Sequence, residues 1–147
     1  MILGGVFVAV IVIGIIGFIF VSKKGNALDK ESKQYVDSAV PAMISKWDVK
    51  EVMDRASPEF IKTVSEEDMK KLFEWFHKLG NLKEYKGSKG DARMFFKPGQ
   101  GEEISAQYVA NAEFDSGPAE IKISLIKHGS KWQILGLHVN SKALMQQ

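Results

Sequence analysis

The chain begins with an uninterrupted apolar run, which limits both fold and location more than any other feature. Residues 2–21 carry no charge over 20 consecutive positions. As an α-helix this stretch would be about 30 Å long, which matches the hydrocarbon thickness of a bilayer. A buried core helix is seldom so long and apolar on every face in a chain of 147 residues. The run therefore predicts a single-pass transmembrane anchor over residues 1–22 and a linker over residues 23–27.

A cleaved signal peptide is the main alternative for this run. Gly25 and Ala27 place small residues where a signal peptidase could cleave. However, no basic segment precedes the run, and the run is longer than the apolar part of a usual signal peptide. Lys23 and Lys24 also interrupt the approach to the cleavage site. We therefore expect the anchor to be retained.

Small residues recur along the run and bear on its packing in a membrane. Gly5 and Ala9 have the four-residue spacing that lets two helices approach closely. Glycine is also common in membrane helices generally, so the spacing alone does not require a partner. The residues expected to contact the helix of a membrane protein partner are Gly5, Ala9, Gly14 and Gly17.

Composition limits the chemistry of the remaining chain. The absence of Cys excludes a disulfide framework, a thiolate metal site and a cysteine nucleophile. The 20 Lys and Arg residues are dispersed among 18 Asp and Glu residues, so nucleic acid is not an expected partner. No phosphate loop, nucleophile elbow, zinc-protease motif or calcium loop occurs in the sequence. We expect no catalytic residue, no metal and no cofactor.

Helical periodicity dominates residues 28–80. An apolar stripe predicts a first helix that Pro41 kinks or splits. Asp48 is placed to cap a short helix, and Ser57 with the following proline marks the start of another. Ser65 caps a further helix, whose predicted buried stripe consists of Met69, Leu72, Phe73, Phe76 and Leu79.

After the last helix the apolar period shortens to two, which predicts strands. Two short strands, 82–86 and 92–97, are expected to be joined by a turn over residues 87–90. A long half-buried strand over residues 104–114 and two further strands follow. Helices followed by an antiparallel meander predict an α+β domain over residues 28–147, with the helices packed on a curved antiparallel sheet.

Several short segments carry a resemblance to a known fold. They are Trp47-Asp48 at the end of the first helix, ASPEF at 56–60, AEFDSGPAEI at 112–121 and the KWQI segment at 131–134. In this order of elements the chain resembles the cystatin-like or nuclear-transport-factor-like cone fold of small bacterial envelope proteins. The resemblance implies a fold and an extracytoplasmic location. It implies no activity, because this fold hosts enzymes, ligand binders and assembly modules.

The two indications of membrane sidedness conflict. Lys23 and Lys24 follow the run directly, and the positive-inside rule places such lysines in the cytoplasm. The resemblance favours the opposite face. Because only two lysines adjoin the run, we expect an inner-membrane protein whose domain is periplasmic or extracytoplasmic, with the cytoplasmic orientation as the alternative.

Three residues form a candidate pocket. Strict alternation on the last strand places Trp132 and His138 on one face and Leu135 and Leu137 on the other. If the first of these faces lines a cone, His138 and Tyr108 could meet there and orient a small ligand. The alternative is that both are amphipathic residues at the margin of the sheet. On the last long helix, Trp75 is predicted to point outward as a surface contact.

These observations favour an interaction protein over an enzyme. We expect a non-catalytic accessory or assembly subunit, anchored in the lipid bilayer, that docks on a larger membrane protein complex. The alternative is a small-ligand-binding cone domain with a pocket near Tyr108 and His138, and its enzymatic version uses His138 as a base. We favour the first because the long strand supplies inward alanines, which leave space but provide no ionisable groups.

Overall fold

The computed structural model describes residues 8–11, 20–22, 26–99 and 101–144, which form an α+β fold as predicted. The helices are α1 (Asn26–Ile44), α2 (Val49–Met53), α3 (Pro58–Thr63) and α4 (Glu66–Phe76). The strands are β1 (Val8–Ile11), β2 (Phe20–Ser22), β3 (Leu82–Lys97), β4 (Gly101–Phe114), β5 (Gly117–His128) and β6 (Lys131–Asn140). Short 3-10 helices, His77–Leu79 and Lys142–Leu144, follow α4 and β6.

All pairings in the sheet are antiparallel, and the strand order is β1-β6-β5-β4-β3-β2. Strands β3 to β6 are the predicted meander. One face, which we call the helix face, packs against the helices and includes Ala106, Tyr108, Ala110, Ile121, Ile123, Ile134 and Leu137. The opposite face, which we call the outer face, includes Ser105, Gln107, Val109, Asn111, Lys122, Ser124 and His138.

The helix ends follow the capping signals of the sequence. The side chains of Asp48, Ser57 and Ser65 each accept a hydrogen bond from the first turn of α2, α3 and α4, respectively. Such caps satisfy backbone N–H groups that have no partner within the helix. The prediction for Pro41 is wrong in one respect, because α1 continues through it to Ile44 without being split.

Strand β3 is longer than the sequence predicted, because the expected turn over residues 87–90 is part of the strand. Gly87 has φ of 102° and lies at a shift in the register between β3 and β4. A Cβ on Gly90 would lie 1.9 Å from the carbonyl oxygen of Gln107, so only glycine allows the two strands to approach there. The two glycines therefore serve a bulge and a close approach rather than a reversal.

Strand β6 contains a bulge that changes which side chains share a face. Ser124 is opposite Gly136 and Leu125 is opposite Ile134, so Leu135 has no partner of its own. The extra residue turns Leu137 to the helix face and His138 to the outer face. The strict alternation expected for this strand is therefore wrong beyond Ile134.

The structure describes two parts of the apolar run, and both are strands. β1 pairs with β6 and β2 pairs with β3, each over a few residues rich in β-branched or aromatic side chains, which favour strands. The rest of the predicted anchor lies outside the described residues. Among the residues that the structure describes, no helix is both long and apolar enough to cross a membrane.

The core between the helices and the sheet centres on four aromatic side chains. The Trp47 ring lies 4.8 Å from that of Phe76, 5.4 Å from that of Phe73 and 5.9 Å from that of Phe114, measured between ring centroids. We call these four residues the aromatic hub. Trp47 is 3% exposed. Within the described chain it is the non-glycine residue with a positive φ, which is 48°. The hub thus fixes the chain reversal between α1 and α2 against α4 and β4.

Candidate functional site

Tyr108, the first of the predicted pocket residues, lies on the helix face and is 2% exposed. Its hydroxyl donates to the carbonyl oxygen of Asp29 at 3.0 Å and lies 2.8 Å from the hydroxyl oxygen of Ser32. Burial of the ring is the main reason that the pKa of Tyr108 is raised. Because the Tyr108 hydroxyl is already bonded to residues of α1, it is not available to a ligand in an open pocket.

The contact between Tyr108 and α1 belongs to a longer set of polar contacts along one side of the helix. The carboxylate of Asp29 accepts from the backbone N–H of Ala92 at 2.9 Å. The ammonium group of Lys33 donates to the carbonyl oxygen of Ser88 at 3.0 Å. We call this set the polar seam; its helix residues are Asp29, Ser32, Lys33 and Asp37, which follow helical spacing.

Asp37 accepts three side-chain hydrogen bonds within the polar seam. Its carboxylate accepts from the Tyr85 hydroxyl at 2.7 Å, from the Ser88 hydroxyl at 2.8 Å and from Lys33 at 2.9 Å. Burial acts to raise the pKa of Asp37, but these three donors together outweigh burial and lower it. The seam therefore holds a carboxylate in its charged form between α1 and β3.

Trp132, the second predicted pocket residue, is also held by α1. Its indole N–H donates to the Glu31 carboxylate at 2.9 Å. Lys127 bonds the same carboxylate and lies 5.5 Å from the centroid of the Trp132 ring. The hydrogen bond from Lys127 is the main reason that the pKa of Glu31 is lowered. Trp132 thus joins the start of β6 to α1.

His138, the third predicted pocket residue, lies on the outer face opposite Lys122. Burial, followed by the charge of Lys122, lowers the pKa of His138. Tyr108 lies on the helix face, so the structure does not bring these two residues together. The bulge at Leu135 separates them, and only the pairing with β5 could have revealed it.

The predicted contact residues also differ from expectation or lie outside the described chain. Trp75 is partly buried and packs against the core instead of pointing fully outward. Ala9 lies in β1. The other members of the predicted membrane contact, which are Gly5, Gly14 and Gly17, lie outside the described residues.

The outer face carries a groove that sequence reasoning missed. It has a volume of about 230 Å³ and is open to solvent, and its lining includes Asp91, Arg93, Phe95, Ser105 and Gln107. Register brings these residues together, because β3 and β4 pair Asp91 with Gln107 and Arg93 with Ser105. Arg93 Nε lies 3.4 Å from Asp91 Oδ1. The groove therefore offers polar, hydrogen-bonding groups beside an aromatic ring.

A second cavity is of a different kind. It lies between α3, α4 and β6 and has a volume of only about 10 Å³, and its lining is apolar: Phe60, Met69, Leu72, Phe73, Phe76, Leu137 and Val139. Within the described part of the chain, no group of three or more His, Asp or Glu side chains could hold a metal ion. The polar groove is thus the better candidate for recognition of a partner.

Known proteins add no constraint to this geometry. Comparison with protein-family models, with curated proteins and with solved structures finds no match to the chain. The resemblance to the cone fold stays a prediction. A functional proposal must therefore rest on the two faces of the sheet and on the apolar run.

Proposed function

We propose that the chain is a non-catalytic, membrane-anchored accessory subunit whose outer face docks on a larger membrane protein complex. One observation carries the proposal. The polar groups expected to line a pocket, the Tyr108 hydroxyl and the Trp132 indole N–H, are both bonded to α1. The helix face is used to hold the domain together, which leaves the groove on the outer face as the surface for recognition.

The anchor in this proposal is the apolar run. Fifteen of the 20 residues at positions 2–21 are Ile, Leu, Val or Phe. Each such residue favours insertion at the centre of a membrane helix by about 0.3–0.6 kcal/mol, so together they favour it by several kcal/mol. A helix satisfies its own backbone in lipid, whereas a short strand with an open edge does not. On insertion, the helix replaces the two pairings with β6 and the three with β3.

Carbonate extraction of membranes tests the anchor. We expect the chain to stay in the membrane pellet and to need detergent for release. Recovery of the intact chain from the aqueous fraction would contradict the anchor.

The same proposal places the domain on the outer side of the inner membrane, and labelling of a single introduced cysteine tests this placement. Lys89 is exposed on β3, and the chain has no Cys of its own. We expect Lys89→Cys to react with a membrane-impermeant thiol reagent on intact cells, because we place the cone-like domain outside the inner membrane. Protection of this cysteine until the cells are lysed would reverse the orientation.

Docking is tested by filling the groove. Gln107 and Asn111 are both exposed, and both lie on the outer face of β4, but only Gln107 lines the groove. In native gels of detergent-solubilised membranes, we expect the wild type and Asn111→Trp to migrate with a larger complex. Gln107→Trp should migrate at the mass of the free chain. A wild type that migrates alone, or equal behaviour of the two variants, argues against docking through the groove.

A further inference from the structure

The hairpin between β3 and β4 extends beyond β5 and β6. The pairings of Phe95 with Glu103, Phe96 with Glu102 and Lys97 with Gly101 lie past the first pairing of β4 with β5, at Ile104. We call residues 95–99 and 101–103 the hairpin tip. Three residue pairs at about 3.4 Å each make an extension of about 10 Å.

The hairpin tip exposes an aromatic side chain. Phe96 is 52% exposed, and it and Ile61 are the exposed large hydrophobic residues of the described chain. Pro98 and Gly99, which follow it, are exposed as well. An apolar ring at the end of a projecting hairpin is well placed to enter the interfacial layer of a bilayer, as Trp, Phe and Leu side chains of membrane-surface helices do.

The direction of α1 places this tip on the side from which the apolar run arrives. The bond between Asp29 and the backbone N–H of Ala92 aligns the start of α1 with β3. Asn26 lies about 4.5 Å beyond Asp29 along the helix, at 1.5 Å per residue. Phe96 lies about 13 Å beyond Ala92 along the strand, at 3.3 Å per residue. The tip therefore projects about 9 Å past the start of α1.

The end of the apolar run lies beside the same tip. Before insertion, Phe20 is opposite Phe96 and Val21 is opposite Phe95 in the pairing of β2 with β3. Insertion of the anchor replaces this pairing, so the length of the linker then sets the distance. From position 21 to the start of α1 at Asn26, an extended chain spans at most about 17 Å. A bilayer that holds the run is consequently within reach of the hairpin tip.

We propose that the hairpin tip is a second membrane contact, in which Phe96 enters the interfacial layer of the bilayer that holds the anchor. This inference rests on the proposed anchor. The ligand is the bilayer itself rather than anionic headgroups, because the residue paired with Phe96 is the exposed acid Glu102. A single aromatic side chain at a narrow tip also offers far less surface than the roughly 800 Å² that each partner buries in a stable protein interface.

Spin labelling of the full chain tests the contact, since the absence of Cys permits single labels. The full chain is reconstituted in zwitterionic phosphatidylcholine vesicles, and one nitroxide is attached at Phe96→Cys or at Pro98→Cys, which keeps Phe96. The matched control is Lys83→Cys, an exposed position at the other end of β3. We expect the label at 96 or 98 to be more accessible to membrane-soluble oxygen than to a water-soluble nickel complex. The label at 83 should show the reverse.

Each other outcome overturns a defined part of the proposal. If the chain resists carbonate extraction but labels at 96 and 98 behave like that at 83, the tip contact is wrong and the anchor stands. If carbonate releases the chain while vesicles still shield these labels, the anchor is wrong, and the tip contacts membranes without it. Release with no shielding overturns both. Labels at 96 and 98 could also be inaccessible to both reagents in native membranes but accessible to the nickel complex in vesicles. That result would indicate a protein at the tip and would overturn the lipid contact.

Discussion

The aromatic hub and the polar seam hold the helices to the sheet by different means. The hub packs three phenylalanine rings around Trp47, whose buried indole nitrogen has no hydrogen-bond partner among the described residues. The seam instead joins α1 to β3 and β4 through hydrogen bonds, several of them to carboxylates. Apolar packing contributes in proportion to buried volume, whereas a buried polar network stabilises only while each group keeps its partner. The two regions should therefore respond differently to truncation and to pH.

The largest effect is expected in the aromatic hub. Trp47→Ala removes a large buried side chain from the contact with Phe73, Phe76 and Phe114, and should lower the free energy of unfolding by about 3–5 kcal/mol. Urea unfolding at neutral pH measures the loss. Trp47→Phe is the matched control, because it keeps a ring and removes the unpaired N–H. Trp47→Phe should lower the free energy of unfolding by less than half as much as Trp47→Ala. An equal loss in both variants would show that ring packing is not what stabilises the hub.

A smaller effect is expected in the polar seam. Tyr108→Phe keeps the buried ring but leaves the Asp29 carbonyl oxygen and the Ser32 hydroxyl without the contact they make to Tyr108. The loss should be about 1–2 kcal/mol in the same urea assay. Ser45→Ala removes an exposed hydroxyl at the end of α1 and should leave the midpoint unchanged. A Tyr108→Phe variant as stable as the wild type would mean that the hydroxyl is not important to the seam.

The last and smallest expected effect is on the change of stability with pH, and it concerns Asp37 of the polar seam. Its pKa is lowered in the folded state, so its contribution is complete above the unfolded pKa of about 4 and is lost as the pH falls through the folded pKa. Urea midpoints measured from pH 7 to pH 3 should therefore fall less for Asp37→Asn than for the wild type.

The control for this titration is an exposed carboxylate outside the seam. Asp54 pairs with Lys50 in α2, and Asp54→Asn should keep the acid dependence of the wild type. If Asp37→Asn shows the full acid dependence as well, the titrating groups that stabilise the domain lie elsewhere.

The two regions also differ in how far the sequence reveals them. The residues of α4 that reach the hub, Phe73 and Phe76, are predictable from helical spacing, and the serine and aspartate caps mark the helix starts. The seam is not predictable, because its contacts with the sheet join residues 48 to 79 positions apart. A polar residue on a helix appears solvent-exposed in the sequence until the strand opposite it is known.

The errors in the sheet share one physical origin. The turn over residues 87–90 was expected from its glycines, and the possible pocket of Tyr108 and His138 depended on strict alternation along β6; at both places the strand contains a bulge instead. Glycines at 87 and 90 are compatible with a turn, a bulge or a close strand approach, so composition alone does not distinguish these cases. The groove on the outer face was missed for the related reason that it depends on strand register.

The unpartnered residue in β6 also has an evolutionary consequence. Deleting Leu135 would restore a regular ladder and leave Ile134, Gly136 and Leu137 facing as they do now. A deletion within two residues of this point should therefore be tolerated, whereas one farther away in β6 would turn the side chains between it and the bulge to the wrong face. When relatives of this chain are aligned, a single-residue gap within the final strand is expected at this position, without any change in the fold.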